Sequence, residues 1–177
     1  MRVVSGKYRG KKLKEFELGS TKPTLDRVKE SIFNLIQFDV LDAVVLDLFS
    51  GTGALGIEAI SRGAKKVYLI DSNPKAVNLI NDNLKGIDGN FVVKNIDALS
   101  FLNIGEKFDI VLLDPPYKTD LGVKAIDKII KEDKLNENGI IIFETAAELG
   151  FEFDYNGYEI SKRKYGTVMV YKFVKES

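Results

Sequence analysis

The chain has 177 residues, 45% hydrophobic and 29% charged, and its 26 basic and 26 acidic side chains balance to zero net charge. That is the composition of one ordinary soluble domain, long enough to bury a sizeable core. With neither cysteine nor histidine, disulfides, thiolate nucleophiles, Ser-His-Asp triads and the usual zinc sites are excluded, so catalysis must run on carboxylates, amides, hydroxyls, lysines or a cofactor.

The balanced charge is unevenly spread. Residues 1 to 30 hold nine Lys or Arg against four acids and residues 155 to 177 hold five against two, which leaves 12 basic and 20 acidic residues between them. An acidic middle suits a cationic cofactor. No apolar run approaches 18 residues and no basic-then-apolar leader is seen, so the expected location is cytoplasmic, with no membrane or metal partner.

Arg2 to Ser5 and Arg9 to Phe16 predict a β-hairpin or extended arm turning near Gly6 and Gly10. The arm carries Arg2, Lys7, Arg9, Lys11, Lys12 and Lys14 with Tyr8 among them and no acid in the first 14 residues. That pattern is an electrostatic footprint for nucleic acid, although lysines guarding edge strands would look the same. Thr24, after Pro23, reads as the N-cap of a helix through about Phe38, with Val28, Ile32, Leu35 and Ile36 on one face.

From residue 40 onward strands and helices alternate, which predicts an α/β fold with a mostly parallel sheet and helices on both faces. The strands are expected at about 44 to 49, 66 to 71, 91 to 95, 108 to 114 and 139 to 144. Helices are expected at about 54 to 62, 74 to 85 and 121 to 132, with a helical turn after Asp97. A last pair, about 157 to 163 and 167 to 174, predicts a hairpin that supplies a reversed edge strand. No linker or repeat interrupts residues 1 to 177, so a single domain is expected.

The first strand runs into Ser50-Gly51-Thr52-Gly53-Ala54-Leu55-Gly56 and then a helix. Glycines here allow a tight turn and bring backbone N–H groups close to a ligand. Their spacing, with Asp71 at the end of the next strand 20 residues after Gly51, matches a dinucleotide fingerprint in which the acid accepts from ribose hydroxyls. Three features favour S-adenosyl-L-methionine over NAD. Asp47, just before the loop, suits a positively charged methionine end. Asp97 is placed to accept from an adenine amino group. Asp114-Pro115-Pro116-Tyr117 closes the apolar run Phe108 to Leu113 opposite a transferable methyl. Each acid also has a bland reading: Asp47 stabilises a turn, and Asp71 or Asn73 caps the helix that begins at Pro74.

Two consecutive prolines cannot continue a sheet ladder, so the fourth strand stops at Asp114. A carboxylate, a carbonyl fixed by a diproline and an aromatic ring then stand at the carboxyl end of a parallel strand. The exocyclic nitrogen of a base is a poor nucleophile because its lone pair is delocalised into the ring. Hydrogen bonds accepted from its hydrogens by the Asp114 carboxylate and the Pro115 carbonyl would direct that lone pair at an electrophile, while Tyr117 stacks on the base.

These residues resemble a known family, the bacterial small-subunit ribosomal RNA guanine-N2 methyltransferases that modify a guanine of 16S rRNA. The resemblance runs through Arg2 to Leu13, Lys22 to Glu30, Asp47 to Ala59, Asn95 to Ala98 and Asp114 to Tyr117. The glycine loop and Asp-Pro-Pro-Tyr specify only the class of amino-methyltransferases; the arm and the Pro23-Thr24-Leu25-Asp26-Arg27-Val28 segment narrow it. The resemblance implies a Rossmann-like methyltransferase sheet with its last strand antiparallel. It implies cofactor contacts at Asp47, Gly51, Gly53, Asp71 and Asp97, with Ser50, Thr52, Ser72 and Ala98 beside them and Pro23, Thr24 and Arg27 near the cofactor. Asp114, Pro115, Pro116 and Tyr117 would be catalytic, and Arg2, Lys7, Tyr8, Arg9, Lys11 and Lys12 would contact ribosomal RNA or the small ribosomal subunit. Lys22 departs from the pattern, which has Arg there. The competing readings are an amino-methyltransferase acting on DNA adenine or another RNA, an NAD-dependent oxidoreductase, and a non-catalytic RNA-binding assembly factor.

Overall fold

The apolar runs assemble into one seven-stranded sheet. The structure, a computed structural model, describes residues 1–17 and 23–177, and for residues 23–25 the backbone only. In chain order the elements are α1 (Pro23–Leu35), β1 (Val44–Asp47), α2 (Ala54–Ser61), β2 (Lys66–Asp71), α3 (Pro74–Asn83), β3 (Phe91–Asn95), α4 (Ala98–Phe101), β4 (Phe108–Leu113), α5 (Leu121–Lys131), β5 (Leu135–Ala146), β6 (Tyr158–Tyr165) and β7 (Val168–Lys175). The order across the sheet is β3-β2-β1-β4-β5-β7-β6.

β1 pairs parallel with both β2 and β4, β2 with β3, and β4 with β5. β7 runs antiparallel to β5 and to β6. The last strand is thus reversed as expected, but it lies one place in from the edge, which β6 occupies. The chain moves outward from β1 to β3 and then returns to β4, so strand order reverses between β1 and β4. At such a reversal the loops at the carboxyl ends part in opposite directions and leave a crevice, the usual ligand site of open α/β sheets.

Alternation along the strands divides the core in two. Val45, Val67, Leu69, Ile110, Leu112, Ile140 and Ile142 face α1, α2 and α3, while Leu46, Tyr68, Ile70, Val111, Leu113, Ile141 and Phe143 face α4 and α5. On the second face, Phe151, Phe153 and Tyr155 lie across β5 and β7 in edge and tilted contacts with Phe143, Tyr171 and Phe173. Hydrogen bonds from Tyr171 to the Phe151 carbonyl (2.7 Å) and from Tyr155 to Asp127 (2.6 Å) fix this irregular stretch where a helix would otherwise be needed.

Both ends of the first helix and the start of the fifth strand differ from the sequence expectation. The first helix ends at Leu35 instead of Phe38, because Ile36 and Val40 both turn into the core and a tight turn, closed by the Asp39 N–H on the Ile36 carbonyl (2.9 Å), leaves Phe38 exposed. It also begins at Pro23, so Thr24 falls inside it and not before it. The fifth strand starts at Leu135, four residues early, since buried Leu135 pairs with Phe108 across a register shift. Among the described residues no helix is long and apolar enough to cross a membrane.

The N-terminal arm is not a projecting hairpin. One isolated bridge, Arg2 to Lys12, joins its halves, and Gly6 and Gly10 turn it with φ of 85° and 88°. Val3 and Leu13 are buried in the core. A Cβ at Gly6 would lie 1.9 Å from the Ser61 carbonyl oxygen, so only glycine lets the arm lie this close to α2. Fully buried Glu58 ties the arm down: its oxygens accept from the N–H groups of Val4 (2.9 Å) and Ser5 (3.0 Å) and from Arg62 Nε (3.0 Å), and Lys29 Nζ lies 3.3 Å away. Lys29, itself buried, donates to the Arg2 carbonyl at 2.5 Å.

Removing one partner from a buried charged cluster leaves the others uncompensated, which costs about 3–5 kcal/mol. Glu58→Ala is therefore expected to lower unfolding stability by about that amount, read from urea denaturation of the variant beside the parent chain; a loss within experimental error would mean that the arm is held by Val3, Leu13 and its other contacts without Glu58.

Candidate active site

Side-chain alternation puts acids at the top of one face. On the face toward α1, α2 and α3, β1 carries Val45 then Asp47, β2 carries Leu69 then Asp71, β4 carries Leu112 with Asp114 just beyond its end, and β5 carries Ile142 then Glu144. Asp47 is level with Leu69 and Leu112, and Leu112 with Ile142. Asp71, Asp114 and Glu144 therefore stand one step above Asp47 along the carboxyl edge, at and beside the crevice between β1 and β4.

The glycine loop is fastened to these acids. The Gly51 N–H donates to Asp71 Oδ2 and the Asn73 N–H to Asp71 Oδ1, both at 2.9 Å. The Gly56 N–H donates to Asp47 Oδ2 at 2.9 Å, and Ser50 Oγ to the Asp47 carbonyl at 3.3 Å. Asp47 is fully buried, and its Oδ1 is without a hydrogen-bond partner. Burial pushes this carboxyl up to about 7; the Gly56 hydrogen bond opposes the rise, and the negative charges of Asp114 and Asp71 add to it.

The three glycines divide the work. A Cβ at Gly56 would fall 2.7 Å from Leu69, and one at Gly53, where φ is 83°, would press on Ile57 and Ile80 at 3.3 Å, so these two serve the packing of α2. At Gly51, with φ of 56°, a Cβ would meet nothing. Gly51 borders open space, and Gly53 and Asp47 lie behind it.

Two cavities meet at Asp114. One, of about 320 Å³, is lined by Gly51, Asp71, Ser72, Asp97 and Ala98 on one side and by Asp114, Pro115, Pro116 and Tyr117 on the other. No basic side chain lines it among the described residues. The second, of about 240 Å³, is lined by Ser50, Thr52, Lys29, Asp114 and Glu144, and shares Phe49 and Gly51 with the first. Carboxylates supply strong hydrogen-bond acceptors to both, which fits a ligand rich in hydroxyl, amino and cationic groups. No group of three or more His, Cys, Asp or Glu is placed to hold a metal among the described residues.

Asp97 caps α4 by accepting from the Ser100 N–H (3.0 Å) and Oγ (3.1 Å), and it also lines the larger cavity. The cap of α3 is Asn73, which accepts from the Lys75 N–H, so Asp71 is left to the loop. Thr119 Oγ1 closes the turn after the diproline on the Pro116 carbonyl (2.9 Å), and Tyr117 stands 56% exposed at its tip. Gly122 opens α5 against this turn; a Cβ there would come within 2.8 Å of Pro115 and 2.5 Å of Phe143. Burial and then the charge of Glu144 hold the Asp114 carboxyl well above the usual carboxylate range. Burial, with Asp114 and Glu144 adding, also raises the Tyr117 phenol.

Glu144 was not expected. It is 6% exposed, and burial pushes it up to about 7. The signal was present: Ile140 to Phe143 is an apolar strand that ends in an acid, as Val44 to Leu46 ends in Asp47.

Other expected residues lie elsewhere. Arg27 is exposed on α1 and lines neither cavity; Lys22 and the side chains of Pro23 and Thr24 are outside the described residues. In the arm, Arg2, Lys7, Arg9 and Lys12 are exposed. Lys11 is spent on the Lys85 carbonyl (2.7 Å), and the Tyr8 hydroxyl donates to the Asp88 carbonyl (3.3 Å) and accepts from its N–H (2.8 Å). Those two hold the arm to the body.

Known proteins are similar in sequence and fold. The family model described as Conserved hypothetical protein 95 matches residues 1–174. The chain is 40% identical over 156 residues to a Bacillus subtilis protein named "Putative rRNA methyltransferase YlbH", covering 84% of each. It is 32% identical over 174 residues to "Ribosomal RNA small subunit methyltransferase D" of Escherichia coli, covering 97% of this chain and 88% of that one. The solved structure titled "Putative methyltransferase yhhF from Escherichia coli" superposes with a TM-score of 0.88 at 30% identity, covering 99% of this chain and 98% of the other. With the glycine loop, the acid-tipped strands and the Asp-Pro-Pro-Tyr turn on a Rossmann-like methyltransferase sheet, the chain belongs to the Conserved hypothetical protein 95 family, that of the ribosomal RNA small subunit methyltransferase D proteins.

Proposed function

We propose that this chain transfers the methyl group of S-adenosyl-L-methionine to the exocyclic N2 amino group of a guanine in small-subunit ribosomal RNA. The observation that carries this reading is Asp114: it stands at the junction of the two cavities, behind a rigid diproline, with an exposed aromatic ring three residues on. The cofactor supplies an electrophilic methyl on a cationic sulfur. Asp71 would accept from its ribose and Asp97 from its adenine, and buried Asp47, through its unpartnered oxygen, favours positive charge above the loop. Asp114 and the Pro115 carbonyl would orient the amino group, with Tyr117 stacked on the base. The names borne by the relatives support ribosomal RNA as substrate. A pyrophosphate cofactor suits the larger cavity poorly, since that cavity presents Asp71, Asp97 and Asp114 and no cation among its described residues.

Asp114→Asn is expected to lower methyl transfer by about a hundredfold or more, the size typical of losing one positioned electrostatic group, with cofactor affinity held within a few fold. Turnover at the parent rate would remove Asp114 from the chemistry. Asp97→Asn, which keeps an oxygen to cap α4, is expected to weaken S-adenosyl-L-methionine binding in calorimetry by about tenfold or more, as for a lost hydrogen bond to a charged group. Heat from NAD and none from the methyl donor would refute the cofactor assignment.

The target guanine must be unstacked to reach Tyr117, so an unpaired base is the expected substrate and a perfect duplex a poor one. Arg9 and Lys12 hold the arm through their backbones only and their side chains are exposed, so Arg9→Ala with Lys12→Ala should spare folding. If both meet single-stranded phosphates, the slope of log affinity against log salt should flatten by roughly 1.4; an unchanged slope would place the RNA on another surface.

A further inference from the structure

Glu144 has no part in the function proposed above. Its side chain is more than nine-tenths buried, the described residues offer its carboxylate neither hydrogen bond nor ion pair, and it lines the cavity of about 240 Å³ that Asp114 also lines. Burying an acid this way is costly unless something enters to meet it. Leu113 pairs with Phe143, so Asp114 and Glu144 are the next residues on neighbouring parallel strands and leave the sheet on the same face. Adjacent strands are roughly 5 Å apart.

We propose that Glu144 is a positioning residue for methyl transfer, acting through Asp114: it keeps Asp114 basic enough to take the proton that the target amino group sheds. The inference rests on the proposed function. In the transfer, the nitrogen lone pair forms the N–C bond as the S–C bond breaks and leaves its electron pair on sulfur, and the nitrogen is left cationic with one proton too many. The Asp114 carboxylate accepts that proton and becomes the neutral acid, which returns it to water through the cavity. A second carboxylate close by raises the proton affinity of the first. The direction found for Asp114, upward by burial and then by Glu144, agrees with this.

The other groups around the pair do not cancel the effect. Lys29 of α1 lines the same cavity, but its ammonium is engaged by Glu58 and the Arg2 carbonyl. Met1 lines it too, and its terminal ammonium is paired with Glu15 at 3.3 Å. Asp47 of β1 and Asp71 of β2 add negative charge, and Tyr117 follows in the diproline turn. Arg163 of β6 shares the row through Val170, two strands from Glu144.

Asp114 can orient the amino group and take its proton only as a carboxylate. Its raised proton affinity means that transfer is lost as pH falls through the ionisation of the pair. Glu144→Gln removes the like charge, so Asp114 should ionise at lower pH and the acid limb of the rate profile should move down. On the alkaline plateau the weaker base should cost on the order of tenfold in single-turnover rate. Glu144→Asp, which keeps the charge, should retain the parent limb. A purely structural role would lower the rate at every pH and leave the limb in place.

The test is single-turnover transfer from labelled S-adenosyl-L-methionine to unmodified small subunits and to their naked 16S rRNA, between about pH 5.5 and pH 9, for the parent chain and both variants. A Glu144→Gln limb that coincides with the parent's overturns the proposal. Should that variant not fold, the parent chain decides the matter in calorimetry at neutral pH. Proton release on binding the cationic methyl donor that persists in Asp47→Asn, measured as a dependence of heat on buffer ionisation, supports the pair, and its absence there overturns it. A parent chain that methylates neither RNA sinks the function proposed above, while the proton count still tests the coupling of Asp114 and Glu144.

Discussion

Parallel pairing constrains this protein more than any single contact. Four neighbouring strands, β2, β1, β4 and β5, run the same way in matched register, so their carboxyl ends share one edge and residues of equal parity share one face. Any acid placed two positions beyond an inward apolar residue is thereby delivered to that edge on the same face. Four are. Left alone they would repel one another in a poorly solvated crevice, and backbone N–H groups of the glycine loop meet that repulsion: Gly51 and Asn73 donate to Asp71, and Gly56 to Asp47. The loop that would cradle a ligand thus also serves as the counterweight to the acids, which couples the order of the loop to their charge.

The motif at the end of β4 depends on the opposite face. Phe143 belongs to the core shared with α4 and α5, and Gly122 allows α5 to press on both Phe143 and Pro115. The aromatic stretch Phe151 to Tyr155 completes that wall against Phe143 and Tyr171. Packing on one side of the sheet therefore fixes the backbone that carries Asp114 and Tyr117 toward the other, and the diproline removes what torsional freedom remains.

Periodicity and punctuation made most of the fold legible. Apolar runs marked the five parallel strands, and the glycine spacing and the diproline marked the two turns that flank the crevice. What stayed hidden was set by tertiary partners. Leu135 joins β5 only because Phe108 is there to pair with it. Phe38 continues an amphipathic pattern, yet the chain must turn before it to bring Val40 inside. Glu144 looked like an ordinary strand residue because its meaning lies in its neighbour Asp114, which is 30 positions away in sequence. The arm shows the same limit: the polar ends of Lys11 and Tyr8 are taken by Lys85 and Asp88, partners that only the folded chain brings near. A basic count cannot separate cations that face solvent from those that fasten one segment to another.

The buried carboxylate of Glu58 has a consequence for how the arm can change over time. Because its oxygens hold two backbone N–H groups of the arm, Arg62 just beyond α2 and a lysine of α1, any drift in the arm's path is felt at once by α1 and α2. The arm's ordering entropy is spent during folding and not at encounter with a partner. Substitutions that alter the path of residues 3 to 6 would thus be selected against through lost protein, whatever they did to recognition. The exposed cations a few residues further on can be exchanged without touching that anchor. Inheritance would hold the backbone of this segment nearly still while leaving its outward charges free to follow the partner.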